Sequence, residues 1–119
     1  MTTQTRQQAR PRTPTQQVLV EVRQERDAQN ERWGEQNHPS GGGRAPEKAY
    51  AYYAQRAADW KAINDARVAN GTLGFDSILL EEVYEALAEE DPAKRRAELI
   101  QVAAVAVCEV EAIDRRSQA

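Results

Sequence analysis

Between Ile78 and Pro92 the chain reads ILLEEVYEALAEEDP, six carboxylates without a Lys or Arg among them. Acid-rich helices usually set a base at i,i+4, which relieves the repulsion. Here Glu81, Glu82 and Glu85 stand together, and Glu89, Glu90 and Asp91 follow. At about 100° per residue, with Glu81 as origin, Glu85 falls at ~40°, Glu89 at ~80° and Glu82 at ~100°. The apolar side chains Ala86, Leu79, Val83, Leu87 and Leu80 fill the arc from ~140° to ~260°. The carboxylates therefore share a face that borders the apolar stripe instead of opposing it.

A chain that turns back between Asp91 and Pro92 brings Glu85 level with Glu98 and Glu82 level with Gln101. Glu98 and Gln101 are i,i+3 and share a face. Glu82, Glu85, Glu98 and Gln101 then form a square of oxygen-bearing side chains, with Glu81 beside it. Carboxylates in such a partly buried square raise one another's pKa and cost stability. A hard divalent cation removes the conflict. Mg²⁺ and Mn²⁺ favour oxygen ligands, and Mg²⁺ commonly takes a few carboxylates plus waters and substrate phosphates. The alternative is an acidic face diluted by solvent, because EExxE by itself is common in helices. The matching ELIQ across the turn favours the metal.

The stretch RWGEQNHPSGGGR offers a second kind of chemistry. Trp33 is a platform on which a base stacks. Gln36, Asn37 and His38 supply donors and acceptors suited to a base edge. The Gly41–Gly43 run lets main-chain amides approach an anion, and Arg44 adds charge; backbone flexibility is the plainer role for the glycines. Lys61 and Arg67, and the KRR of Lys94–Arg96, are cations for phosphate, although that trio also suits salt bridges to Glu89 and Glu90. Trp60 and Tyr50, Tyr52 and Tyr53 read as core and interface. No Ser/His/Asp or Cys/His nucleophilic set is visible, and His38 is the sole His.

The elements that must position these residues are helical. Residues 1–14 are polar, basic and Pro-containing, and are expected to form a disordered arm. One helix is expected from Thr15 to about Trp33, and a second from Pro46 to Asn70, stopped by Gly71 in the left-handed conformation. A third is expected from about Ser77 to Glu90. The fourth is capped by Asp91, opened by Pro92 and runs to about Arg115. No segment alternates as a strand does. The predicted class is all-α, one domain over residues 15–119. Residues 99–108, LIQVAAVAVC, are apolar almost all round, so a helix there needs cover on several sides. A chain of 119 residues has few helices to supply it, which implies a dimer or higher oligomer.

Composition excludes some classes. Charged residues make up 29% with a net charge of −3, so stable nucleic-acid binding is not expected. The longest apolar run is too short to span a membrane, and no signal peptide is visible. Cys108, the single Cys, reads as a small core residue, and a cytoplasmic protein is expected.

EEVYE followed closely by ELIQ resembles the EExxE…ExxD signature of the MazG-like, all-α nucleoside triphosphate pyrophosphohydrolases. The frame ERDAQNERWGEQNHP…ILLEEVYEALAEEDPAKRRAELIQVAAVAV is similar to MazG-like proteins of actinobacteria and their phages, over roughly residues 18–115. The resemblance implies a four-helix bundle assembled as a dimer or tetramer. It implies acidic residues that hold Mg²⁺, and cleavage of a nucleotide's α–β phosphoanhydride to monophosphate and pyrophosphate. By motif position, Glu82, Glu85 and Glu98 would be ligands, and Glu81 would orient or deprotonate the attacking water or help bind a further ion. Gln101 departs from the signature, which has Asp there. An amide oxygen ligates without charge, so the site would hold metal more weakly, or fewer ions. Two other functions compete with hydrolysis: a catalytically weak module that sequesters a nucleotide, and a helical oligomer that acts through protein contacts alone.

Overall fold

The computed structural model describes residues 10–118. Its order is α1 (Pro14–Trp33), α2 (Pro46–Asn70), α3 (Phe75–Ala88) and α4 (Pro92–Ser117), with no strand among the described residues. The expected all-α class is therefore observed. The first nine residues of the expected arm lie outside the described residues. Arg10–Arg12 have no regular structure, and α1 begins one residue before the expected start.

Local chemistry explains the ends. Thr13 and Gln16 form a reciprocal capping box: the Gln16 amide donates to Thr13 Oγ1 at 3.1 Å, and the Thr13 amide donates to Gln16 Oε1 at 2.9 Å. Pro14, Pro46 and Pro92 open their helices, where a missing N–H costs nothing. Gly71 closes α2 at φ 69°, ψ 27°, the left-handed region. The Asp91 carboxylate accepts from the Lys94 amide at 2.9 Å and caps α4.

The third helix departs from expectation at both ends. It starts at Phe75, because Gly74 takes the extended N-cap conformation and its carbonyl accepts from the Ile78 amide at 3.3 Å. It stops at Ala88. Glu89 is extended at φ −81°, ψ 119°, as is Asp91, which precedes Pro92 and is steered from the helical region by the proline ring. Glu89 and Glu90 therefore leave the helix, and Glu89 Oε1 accepts from the Asp91 amide at 3.1 Å. The helical face keeps Glu81, Glu82 and Glu85 and loses the expected Glu89.

α2 packs on α3, α3 on α4, and α4 on α1. Antiparallel α2 and α3 are pinned by Arg67–Asp76 at 3.1 Å and by Asn64, whose Nδ2 donates to the Ser77 carbonyl at 2.9 Å. Tyr53 and Tyr84 sit 6.4 Å apart at the other end of the pair. Asn64 and Ser77 are both buried. The Ser77 carbonyl also lies within α3 and has its own helical donor, so Asn64→Ala removes one buried hydrogen bond without stranding its acceptor and is expected to cost about 0.5–1.5 kcal/mol, measured by urea unfolding at fixed protein concentration. An unchanged midpoint would mean that the bond between the two helices adds nothing net to stability.

The row of helices is open. Buried residues are confined to Val18, Asn64, Ser77, Ala86 and Val107 among those described. The radius of gyration is 19.4 Å, against about 13.5 Å for a compact chain of this length. Accessible surface is 9814 Å², against roughly 6,500 Å² for a folded monomer of this mass. On α4, Leu99, Ala103, Ala106, Val110 and Ile113 line one exposed stripe at helical spacing. Cys108 is also exposed, which corrects its reading as a core residue: α3 and α1 cover other sides of α4. No described helix is long and apolar enough to cross a membrane.

Candidate metal and nucleotide site

The carboxylate site is built on the α3–α4 pair. Glu81, Glu82 and Glu85 each offer an oxygen, all within 4.8 Å of one another, and each side chain is half-buried at the rim of the helix packing. Glu98, on α4, is not part of that trio but lies near enough for its charge to act on Glu82 and Glu85. Glu82 Oε2 and Glu98 Oε2 are both buried, and neither has a hydrogen-bond partner. A carboxylate oxygen removed from water without a donor is costly.

Burial first, and then the Glu98 and Glu81 carboxylates, push the Glu82 carboxyl above the usual carboxylate range. Burial also raises Glu85, followed by Glu82, Glu81 and Glu98; Lys61 opposes this and lowers it. No ion pair among the described residues involves any of the four acids. The donor set fits a hard cation: all oxygen, concentrated negative charge, two stranded lone-pair donors.

These shifts give a pH prediction for the metal-free chain. A carboxyl raised in the folded state binds its proton more tightly there than in the unfolded chain. The contribution of Glu82 and Glu85 to stability is therefore greatest on the acid side, and is lost as pH rises from the ordinary carboxylate value of 4.5 through their raised folded values. Thermal melts in chelator across that window should show the slope, and Glu82→Gln should reduce it. Equal slopes in the two proteins would mean that the pair is not destabilised.

Gln101 lies one turn beyond Glu98 and is exposed. Lys61 stands close enough to Glu85 to act on its charge, while its ammonium lies 3.7 Å from Asp65. Arg67 is engaged with Asp76. Lys94, Arg95 and Arg96 make no ion pair with Glu89 or Glu90 among the described residues. Arg95 instead donates to two main-chain carbonyls, Ser40 at 3.0 Å and Leu87 at 3.3 Å.

Trp33, Gln36, Asn37 and His38 come together, with Glu35, around an open concavity of about 760 Å³. Trp33 is 59% exposed, with the Arg32 guanidinium 5.3 Å from its ring centre. His38 Nε2 and Gln36 Oε1 are 3.1 Å apart, and Asn37 Nδ2 donates to Glu35 Oε2 at 3.4 Å. This concavity is local to the α1–α2 connection, and the carboxylates do not line it. The fold thus assembles two separate groups: Glu81, Glu82, Glu85 and Glu98 with Lys61 nearby, and Trp33 with Gln36–His38.

Sequence reasoning missed Arg32, Glu35 and the role of Arg95. A cation beside Trp33 was legible as a neighbour in the chain. The Arg95 contacts left no signal, because their acceptors are main-chain atoms. No protein-family model, curated protein or solved structure matches this chain.

Proposed function

We propose that the chain is a divalent-cation-dependent nucleotide pyrophosphohydrolase of the MazG-like type, working in the cytoplasm as a dimer or tetramer. The observation that supports it most is the pair of buried, partnerless oxygens, Glu82 Oε2 on α3 and Glu98 Oε2 on α4, on carboxylates near enough for the charge of Glu98 to raise Glu82. Glu82, Glu85 and Glu98 would hold Mg²⁺ or Mn²⁺. A bound ion there supplies charge neutralisation for the transferring phosphoryl group and activation of water. Glu81, beside the three ligands, accepts a proton from the attacking water or orients it. Lys61 meets phosphate oxygens near Glu85. Trp33 stacks a base, and Gln36, Asn37 and His38 read its edge. Phosphoryl transfer needs mainly positioning and charge stabilisation, which these groups provide without a covalent nucleophile.

An oligomer fits this reading. The exposed α4 stripe and the accessible surface well above that of a folded monomer call for cover. The margin exceeds the roughly 1,000 Å² per partner that an obligate interface removes.

The decisive experiment is pyrophosphate release from a panel of nucleoside and deoxynucleoside triphosphates, with Mg²⁺, with Mn²⁺ and with chelator. Metal-dependent release is expected. The exposed, uncharged Gln101 favours a second reading, a module that binds nucleotide and turns it over weakly or not at all. Metal-dependent nucleotide binding without release would select that module. Gln101→Asp should tighten Mg²⁺ binding, read by calorimetric titration; unchanged or weaker binding would remove Gln101 from the ligand set.

A further inference from the structure

We infer that Arg95 is a positioning residue: it clasps the α1–α2 connector to the α3–α4 corner and so fixes where the Trp33–His38 surface stands. Its guanidinium donates to the Leu87 carbonyl, in the last turn of α3, and to the Ser40 carbonyl, 55 residues away in the chain. The planar fork suits this double task, because one rigid group presents several donors at fixed angles. Both acceptors are main-chain atoms, so the clasp holds the path of the backbone and not a particular side chain.

Little else holds that connector. Among the described residues, the bond to Ser40 is the one hydrogen bond joining residues 35–44 to another helix; the remainder are local, Asn37 with Glu35 and His38 with Gln36. Among the described helices α1 packs on α4 alone; Val18 is its one buried residue, and Leu19 and Val22 are exposed. The second tie is steric: Gly41 lies against Tyr50, where an added Cβ would come 2.5 Å from the hydroxyl and 2.9 Å from the ring. Gly41 at the tight approach and Arg95 at Ser40 act on adjacent residues and set one point of the connector. Arg95 also precedes Glu98 by one turn on α4, and Leu87 follows Glu85 on α3. The clasp thus ties the aromatic surface to the same corner that carries the carboxylates. Its consequence for nucleotide binding rests on the proposed function; the clasp itself does not.

Limited trypsinolysis of the full chain at the Arg44–Ala45 bond tests it. Arg44 is exposed within the connector, and cleavage there requires the connector to leave its seat. Arg95→Ala is expected to speed this cut about tenfold, and Arg95→Lys, which reaches one carbonyl, should be intermediate. Cleavage after Arg67, within α2, should be unchanged, as should thermal stabilisation by Mn²⁺. An unchanged rate at Arg44, or equal acceleration at Arg44 and Arg67, would overturn the clasp, the latter showing general destabilisation. These rates decide the matter even if no nucleotide is hydrolysed. If one is, Arg95→Ala should raise KM several-fold more than it lowers kcat; an equal loss in kcat with KM unchanged would show that Arg95 does not orient a binding surface.

Discussion

Glu82→Gln is expected to remove divalent-cation stabilisation and turnover together, while raising the melting temperature of the metal-free chain. The opposite signs follow from one site. Without metal, Glu82 is a desolvated charge beside Glu98 and Glu81, with a buried oxygen that has no partner. An amide of the same shape abolishes that repulsion, and its N–H₂ donates to the neighbouring carboxylates. We expect a gain of about 2–5 °C in chelator. With metal the balance inverts. Ligand at about 100 times its Kd stabilises a native state by ~2.7 kcal/mol, on the order of 10 °C for a domain of this size. Glu82→Gln should lose most of that shift. Turnover should fall by more than the roughly 10–100-fold that follows loss of a partner one shell further out. Melts with and without Mn²⁺ at one protein concentration, together with pyrophosphate release, give all three readings. Retained metal stabilisation and substantial activity in both Glu82→Gln and Glu85→Gln would sink the metal assignment.

Ala106→Glu is expected to break the assembly. Ala106 sits mid-way along the exposed stripe of Leu99, Ala103, Ala106, Val110 and Ile113. Within one chain a Glu at an exposed, mid-helix position costs a few tenths of a kcal/mol, so a monomeric protein would scarcely register the change. Between copies, Ala allows close approach of two helices, and Glu both fills that space and buries a charge without a partner. Light scattering on the wild-type chain should give at least twice the 13.4 kDa chain mass. The variant should shift toward the monomer and melt at least about 10 °C lower, because the row of helices buries little by itself. A wild-type chain that is monomeric and melts cooperatively would refute the need for a partner.

Much of the fold was open to reading in advance because helix ends are local events. Asp91-Pro92, Pro46 and Asn70-Gly71 act through their own dihedrals and their own main-chain donors, and both ends of α2 and the start of α4 are observed where they mark them. The rim position of Glu81, Glu82 and Glu85 was likewise a matter of periodicity, as it needs only the angle between residues on one helix. The approach of Glu98 needed one assumption more, a tight turn, and the proline that enforces the turn is in the sequence.

The failures share a different cause. Periodicity puts Glu89 on the acidic face, but α3 ends at Ala88, two residues short of the expected Glu90, because the conformational influence of Pro92 reaches back through Asp91. Cys108 looked like core because an apolar run names residues that seek cover without saying which neighbours supply it. Asn64 and Arg95 could not be foreseen at all. Their partners are carbonyls of Ser77, Ser40 and Leu87, and every residue carries a carbonyl. Local dihedral preferences and the angular spacing of side chains are encoded residue by residue, so helices and the acidic face follow from the sequence. Which main-chain groups meet a distant side chain, and which sides of α4 stay bare, depend on how the helices pack, and only the tertiary structure decides them.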